Sequence, residues 1–218
     1  MSYELDGALP PDVLSDIDPG TNVLVSGPPM SGKRELMLRI LARGATAGDG
    51  SVVVTTGDPA GDITAELDDY LETDTSFFRV IDCVSSQGGG SVETDSVRSV
   101  SSPGDLTGIG IEFSEIASEA ESSGVDRLRI AFDSVSPLLM YVDLQRLFRF
   151  LHVFTSQIQS RGWLGLFAID PETHDEQSVN TISQLFDGMI EIRLQDEGGR
   201  EVRTRGFTGS STEWVALE

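Results

Sequence analysis

The run Val23-Leu-Val-Ser-Gly27-Pro-Pro-Met-Ser-Gly32-Lys33-Arg34 decides how the rest of this chain is read. A short apolar run enters a Gly-rich turn, a lysine follows, and a helical pattern begins behind it. Strand, GxxxxGK, helix is the layout of a phosphate-binding loop. Gly27 and Gly32 let the backbone curl so that successive N–H groups face one anion, and Pro28, Pro29, Met30 and Ser31 fill the turn between them. The helix that starts near Lys33 adds the positive end of its dipole. The Lys33 ammonium is a point charge suited to the outer phosphates of a nucleotide.

One position departs from this layout. After the lysine the motif ordinarily carries Ser or Thr, whose hydroxyl binds magnesium. Here the residue is Arg34, which cannot ligate a cation but can pair with phosphate. The sequence therefore predicts a cradle for ATP or ADP whose Mg2+ arm is degenerate. Composition sharpens the point: of 15 Lys and Arg residues, Lys33 is the only lysine.

The chain has 218 residues, enough for one sizeable α/β domain over 1–218 with a substantial core. Its 36 acidic residues give a formal charge of −21. Such an excess repels nucleic acid and anionic membrane, so neither is an expected partner. With lysine nearly absent, the pattern reads as adaptation to a salty cytoplasm, where ions screen the self-repulsion of an acidic surface. Cys83 is the single cysteine, which excludes an intramolecular disulfide. The first residues show no basic region followed by an apolar one, and no apolar run nears the roughly 20 residues of a membrane span. A cytoplasmic location is expected.

Residues 1–20 are acidic and Pro-rich; Leu9, Val13, Leu14 and Ile17 are expected to pack as a short lead-in helix. The first main strand is read at 22–26, and the helix after the loop, with Leu36, Met37, Ile40 and Leu41 on one face, is expected to stop at Gly44 and Gly48. Strands follow at 52–56, 77–82, 128–133 and 163–169. Helices are read at 62–71, 105–123, 144–158 and 176–186, the third of these being the most amphipathic. Residues 85–104, rich in Ser and Gly, read as a long mobile loop and a plausible contact for a protein partner. After 186 strands succeed one another at 189–194, 200–204 and 214–217, with Asp196-Glu-Gly-Gly199 as a hairpin signal. Alternation followed by consecutive strands predicts a three-layer α/β fold: a mostly parallel central sheet, helices on both faces and a C-terminal antiparallel extension.

Asp133 ends an apolar strand about a hundred residues after Lys33. An Asp at such a strand end holds magnesium in P-loop proteins, and in a parallel sheet it emerges beside the loop. A turn-capping Asp is the alternative; given the loop, the magnesium role is the expectation.

Taken together these segments resemble the RecA superfamily of P-loop proteins, and within it the KaiC-like, RadA-related archaeal branch. Leu24-Val-Ser-Gly-Pro-Pro29 with Gly32-Lys33 resembles that family's Walker A segment, and Ile130-Ala-Phe-Asp133-Ser134-Val-Ser136 its Walker B strand. Phe186-Asp-Gly-Met-Ile-Glu-Ile-Arg193, Arg200 and Val202-Arg-Thr-Arg205-Gly206 resemble its closing strands, Arg203 and Arg205 standing at the two basic positions of a KxRG motif. The similarity runs from about residue 5 to 207. It implies a RecA-type core with nucleotide between the loop and the sheet edge. It also implies a possible homo-oligomer, with Arg203 and Arg205 reaching toward a neighbour's nucleotide. Ordinary solvated arginines on an edge strand are the alternative.

Family members carry paired glutamates after the second strand, one of which activates the attacking water. The matching positions here are Thr56 and Gly57, and Asp58 then begins a turn. With the metal arm and the base both compromised, the resemblance implies nucleotide binding, a regulatory or signalling role, and weak or absent hydrolysis. Catalytic residues are left unassigned. An active oligomeric ATPase remains the first alternative, with Asp133 and Ser31 or Asp58 recruited for magnesium. A DNA-recombination paralogue is a second, and a scaffold that has lost its ligand a third. Asp170, at the tip of the fifth strand, would repel phosphate and is assigned nothing. His152 and His174 lie far apart without cysteine partners, so no metal set of that kind is read.

Overall fold

Along the central strands, successive apolar side chains go to opposite faces, and both faces are buried. The computed structural model describes residues 1–71, 77–88, 94–196, 198–207 and 213–217. The chain opens with β1 (Tyr3–Glu4) and β2 (Asp16–Ile17), then β3 (Asn22–Ser26), α1 (Lys33–Thr46), β4 (Gly50–Thr55) and α2 (Ala60–Asp68). Next come β5 (Phe78–Asp82), β6 (Val97–Ser99), α3 (Leu106–Ser122), β7 (Leu128–Phe132) and α4 (Leu138–Tyr141). The remainder is α5 (Leu144–Ser160), β8 (Leu164–Ile169), α6 (Glu176–Ser183), β9 (Gly188–Leu194), β10 (Arg200–Arg205) and β11 (Val215–Leu217).

Among the described residues, β3 to β11 form one nine-stranded sheet ordered β11-β10-β9-β3-β8-β7-β4-β5-β6. The run from β9 to β6 is parallel; β10 and β11 add antiparallel to β9. The three-layer α/β architecture with its antiparallel extension is thus observed. On one face Leu24, Val52, Val54, Ile130, Phe132 and Phe167 pack beneath α3, α5 and α6. On the other Val23, Val25, Val53, Ala131, Leu166 and Ala168 pack beneath α1, α2 and the N-terminal segment. The first face is aromatic, with Phe113 stacked on Phe154 at 4.2 Å and Phe132 on Phe167 at 5.8 Å.

Local sequence sets the helices. In α5, Leu147, Leu151, Phe154 and Ile158 form one buried stripe at helical spacing. Burying each contributes about 1.5–3 kcal/mol relative to exposure. The Asp143 carboxylate caps α5 by accepting from Arg146 N at 2.9 Å, and Asp105 caps α3 in the same way through Gly108 N. At α2 the cap position is Pro59, with no side-chain hydrogen bond, and a distant residue supplies one. Asp82, at the end of β5, accepts from Ala60 N at 2.8 Å and also from Val84 N, Ser85 N and the Ser85 hydroxyl. Burial alone would raise this carboxyl, but those donors hold it below its ordinary value.

Several expectations are corrected. The lead-in helix is absent: Leu9, Val13, Leu14 and Ile17 are all buried, but between turns and the small β1–β2 sheet. Pro10 and Pro11 break the pattern there, and an apolar count alone does not distinguish a packed irregular segment from a helix. Helix α1 runs through Gly44, against which the buried Arg129 side chain packs. Within 85–104, residues 85–88 form a 3₁₀ turn and β6 pairs in parallel with β5, Val80 opposite Val97. Val100 is buried against α3 in the aromatic layer. This segment carries too few apolar residues to betray a strand, and positions 89–93 lie outside the described residues. The short α4 was not anticipated.

One buried charge cluster ties the N-terminal segment to the sheet. Arg129, 1% exposed, donates to Asp49 Oδ2 at 2.9 Å and to the carbonyls of Glu4 and Ile40. Arg127 donates to Asp49 Oδ1 at 2.7 Å and stacks 4.0 Å above the Tyr3 ring. Burial pushes the Tyr3 phenol up to about 12 and Arg129 below its ordinary value. Removing one member of such a pair leaves an uncompensated buried charge. Asp49→Ala is expected to cost about 3–5 kcal/mol, read from the urea midpoint; a loss below about 1 kcal/mol contradicts this account.

Candidate functional site

The Gly27–Arg34 loop leaves β3 at the carboxyl edge of the sheet and delivers the chain into α1. Its shape depends on two glycines. Gly32, the N-cap of α1, has φ +85°. A Cβ at Gly27 would stand 2.7 Å from Ser31 Oγ and 2.8 Å from the Ile192 carbonyl oxygen. Met30 also adopts a positive φ of 60° and is fully exposed at the loop's tip. Leu36 N donates to the Gly32 carbonyl at 2.9 Å, so the amides before it begin no helical hydrogen bond of this kind. Helix α1 has no side-chain cap. Behind the loop, Arg200 of β10 pairs with Glu35 at 2.5 Å and lies against Gly32.

The loop borders a cleft of about 480 Å³, lined by Pro29 to Glu35 and by Glu66, Asp133, Ser134 and Asp170. Its two cations, Lys33 and Arg34, therefore face four carboxylates. Lys33 is 8% exposed. Its ammonium donates to the Gly27 carbonyl at 2.8 Å and the Pro28 carbonyl at 2.7 Å, and lies 2.5 Å from Asp170 Oδ1. Three N–H donors thus meet three oxygens. Ser31 borders the cleft, but its hydroxyl is buried against Gly27 without a hydrogen-bond partner.

Asp170 is the residue that sequence reasoning left unassigned. The signal is register: β3 and β8 pair with Ser26 opposite Ile169, so Asp170, which follows β8, stands beside Gly27. Strand order supplies that neighbour, and strand order is not written in the sequence.

Asp133 follows β7, and pairing of Val54 with Phe132 brings Thr55 and Thr56 against it. Its Oδ1 accepts from Thr56 N at 3.0 Å and lies 2.9 Å from the Thr56 hydroxyl; its Oδ2 lies 3.0 Å from the Thr55 hydroxyl, which also reaches the Asp58 carbonyl at 2.5 Å. Burial holds this carboxyl above its ordinary value, with the Thr56 hydrogen bonds and Arg34 opposing. Position 57 also adjoins it, since a Cβ on Gly57 would lie 4.0 Å from Asp133 Oδ2. Thr56 and Gly57 thus border Asp133, and neither carries a carboxylate.

Arg34 reaches into the same corner. Its guanidinium donates to Asp58 Oδ2 and lies 4.0 Å from Asp133 Oδ2 and 3.6 Å from Glu66. Burial alone would lower the guanidinium pKa; Asp58, Asp133 and Glu66 raise it above its ordinary value. Asp58 therefore does more than begin a turn. For Asp133 as a metal ligand the surroundings are a poor fit. A divalent ion would stand beside a fixed positive charge, on a carboxylate that already accepts the Thr56 N–H. Among the described residues no three His, Cys, Asp or Glu are grouped to hold a metal.

Arg203 and Arg205 are not brought to the cleft. Both pair with Glu191 of β9, Arg205 at 3.0 Å, and Arg203 stacks 4.4 Å from the Trp214 ring. Arg203 stands directly opposite Glu191 in the β9–β10 register, a cross-strand charge pair.

A family model matches residues 20–192, most of the chain, under the description "Family of unknown function (DUF7504)". The chain belongs to this family. No curated protein matches it. Among solved structures it is similar to the crystal structure of the KaiC-like protein PH0186 from the hyperthermophilic archaeon Pyrococcus horikoshii OT3. That similarity has a TM-score of 0.67 at 18% identity and covers 95% of this chain and 89% of that one. The DUF7504 chain thus has a KaiC-like, RecA-type P-loop fold. No helix among its described residues is long and apolar enough to cross a membrane.

The loop's close packing gives a direct test. Gly27→Ala is expected to destabilise by about 1–3 kcal/mol through overpacking, seen as a lower urea midpoint. An unchanged midpoint would mean the loop is not held as described.

Proposed function

We propose that this DUF7504 protein binds ATP or ADP in the cleft at the head of α1 and acts as a regulatory or signalling module with weak or absent hydrolysis. The observation that carries the reading is the Lys33 ammonium. The chain's sole lysine is held between the loop carbonyls and Asp170, at the uncapped start of α1. A phosphate fits there on one further count: the loop amides ahead of the first helical hydrogen bond, Ser31 N apart, which donates to the Pro28 carbonyl. Gly27 to Arg34 would hold the nucleotide, which supplies a removable negative charge. Entry of phosphate competes with Asp170 for the ammonium, so binding is coupled to the tip of β8.

The weak-hydrolysis part rests on Thr56 and Gly57, which border Asp133 without offering a general base. Assembly with further copies belongs to the same proposal. Arg203 and Arg205 stand outside the cleft of their own chain, so any nucleotide contact they make falls on a neighbour's. A protein partner is left open in identity. The cytoplasmic setting is proposed from the same acidic, lysine-poor composition as the salt adaptation.

Calorimetry with ATP on the full chain, with light scattering for mass, tests this. Binding is expected, with Lys33→Ala weakening it by roughly tenfold or more, the loss of a charge-assisted contact. Brisk magnesium-dependent hydrolysis that Lys33→Ala abolishes would replace the regulatory reading with that of a working ATPase.

The acidic surface generates a separate expectation. At −21 formal charge, raising salt from about 0.1 M to about 1 M shortens the screening length from about 10 Å to about 3 Å. The thermal midpoint is expected to rise over that range; a flat or falling midpoint would count against salt adaptation.

A further inference from the structure

We infer that Arg34 stands in for the divalent cation, so that the cleft takes its nucleotide free of magnesium. This inference rests on the nucleotide reading above and adds which ionic form of the nucleotide is recognised.

The argument begins with position. Arg34 occupies the motif slot whose hydroxyl ordinarily holds the metal. Its side chain does not turn away to solvent. It is drawn into the corner where the strand-end carboxylate Asp133 lies, 4.0 Å from Oδ2, with Glu66 at 3.6 Å on the other side and a hydrogen bond to Asp58. Three carboxylates from three segments thus lie around one fixed cation.

Next is ligand capacity. Asp133 Oδ1 already takes the Thr56 N–H, and the Thr56 and Thr55 hydroxyls crowd Oδ1 and Oδ2 at 2.9 and 3.0 Å while also reaching the Ser134 and Asp58 carbonyls. What remains of Oδ2 faces the guanidinium. Magnesium demands near-octahedral oxygen ligands at about 2.0–2.1 Å, and here it would have to settle against a positive charge that cannot be deprotonated. Among the described residues no three His, Cys, Asp or Glu are grouped to hold a metal.

Last is what the guanidinium offers. It is a planar fork with five donors that matches phosphate oxygens two at a time. It lines the same cleft as Lys33, and its side chain is 36% exposed, so it is accessible from the cleft. Ammonium and guanidinium together supply two positive charges without an ion. Asp58, Asp133 and Glu66 hold the guanidinium in place when no phosphate is present. A magnesium–nucleotide complex would bring its own cation against Arg34 and lose by repulsion what it gains by charge neutralisation.

The test is calorimetry of ATP binding to the full chain in EDTA and again in excess MgCl2, for the wild type and for Arg34→Ser. The wild type is expected to bind in EDTA at least as tightly as in magnesium. Arg34→Ser, which restores the ordinary motif residue, is expected to lose roughly tenfold or more in EDTA and to regain affinity when magnesium is added. Wild-type binding that tightens about tenfold on adding magnesium overturns the inference while leaving the nucleotide site intact. Absence of ATP binding in both buffers overturns the nucleotide reading itself, and this inference with it. The wild-type comparison needs no variant, so it decides even if Arg34→Ser fails to fold.

Discussion

Two cations placed side by side at the head of α1, with carboxylates closing on them from β8, β7, the segment after β4 and α2, are the constraint on which the cleft depends. Neither charge is left bare. Lys33 is matched by two loop carbonyls and Asp170, and Arg34 by Asp58 with Asp133 and Glu66 close by. Burying a lone ammonium or carboxylate is costly, so each of these groups makes the others tolerable at the edge of a dry sheet. The geometry that achieves this is the parallel register. β3 beside β8 puts Asp170 next to Gly27, and β4 beside β7 puts Thr55 and Thr56 next to Asp133.

A second buried cluster does for the N-terminal segment what the first does for the loop. Arg127 and Arg129, on and just before β7, share Asp49 and hold the carbonyls of residues 1, 2 and 4. The segment is therefore tied to the sheet by backbone-to-guanidinium contacts as well as by its buried apolar side chains. The Tyr3 ring under Arg127 completes the contact.

Much of the fold was legible because its strands are uniformly apolar and its helices strongly periodic. Parallel strands buried on both faces read as short β-branched runs, as in Val52-Val-Val, and α5 carries an unmistakable stripe. The N-terminal segment misled for a physical reason: apolar residues at loose helical spacing bury equally well in a turn-rich segment stapled by arginines. The edge strand β6 escaped because an edge position needs few apolar side chains. At the site, the loop and its lysine were readable from local spacing alone. The partners of Lys33 and Arg34 were not, since Asp170 and Asp58 reach them only through strand order and the turn after β4. Fold likeness to a KaiC-like protein at 18% identity conveys the scaffold, whereas the charges in the cleft are this chain's own.

The isolation of Lys33 has a chemical corollary. Lysine acetylation, ubiquitin attachment to lysine and side-chain amine cross-linking all require a side-chain primary amine. These 218 residues contain one, and it is 8% exposed within an ion pair. Any such acylation of a lysine in this sequence would erase the cleft's ammonium itself. Guanidinium groups, which resist those reagents, carry every other side-chain cation on the surface, leaving the protein's exterior nearly inert to lysine-based marking.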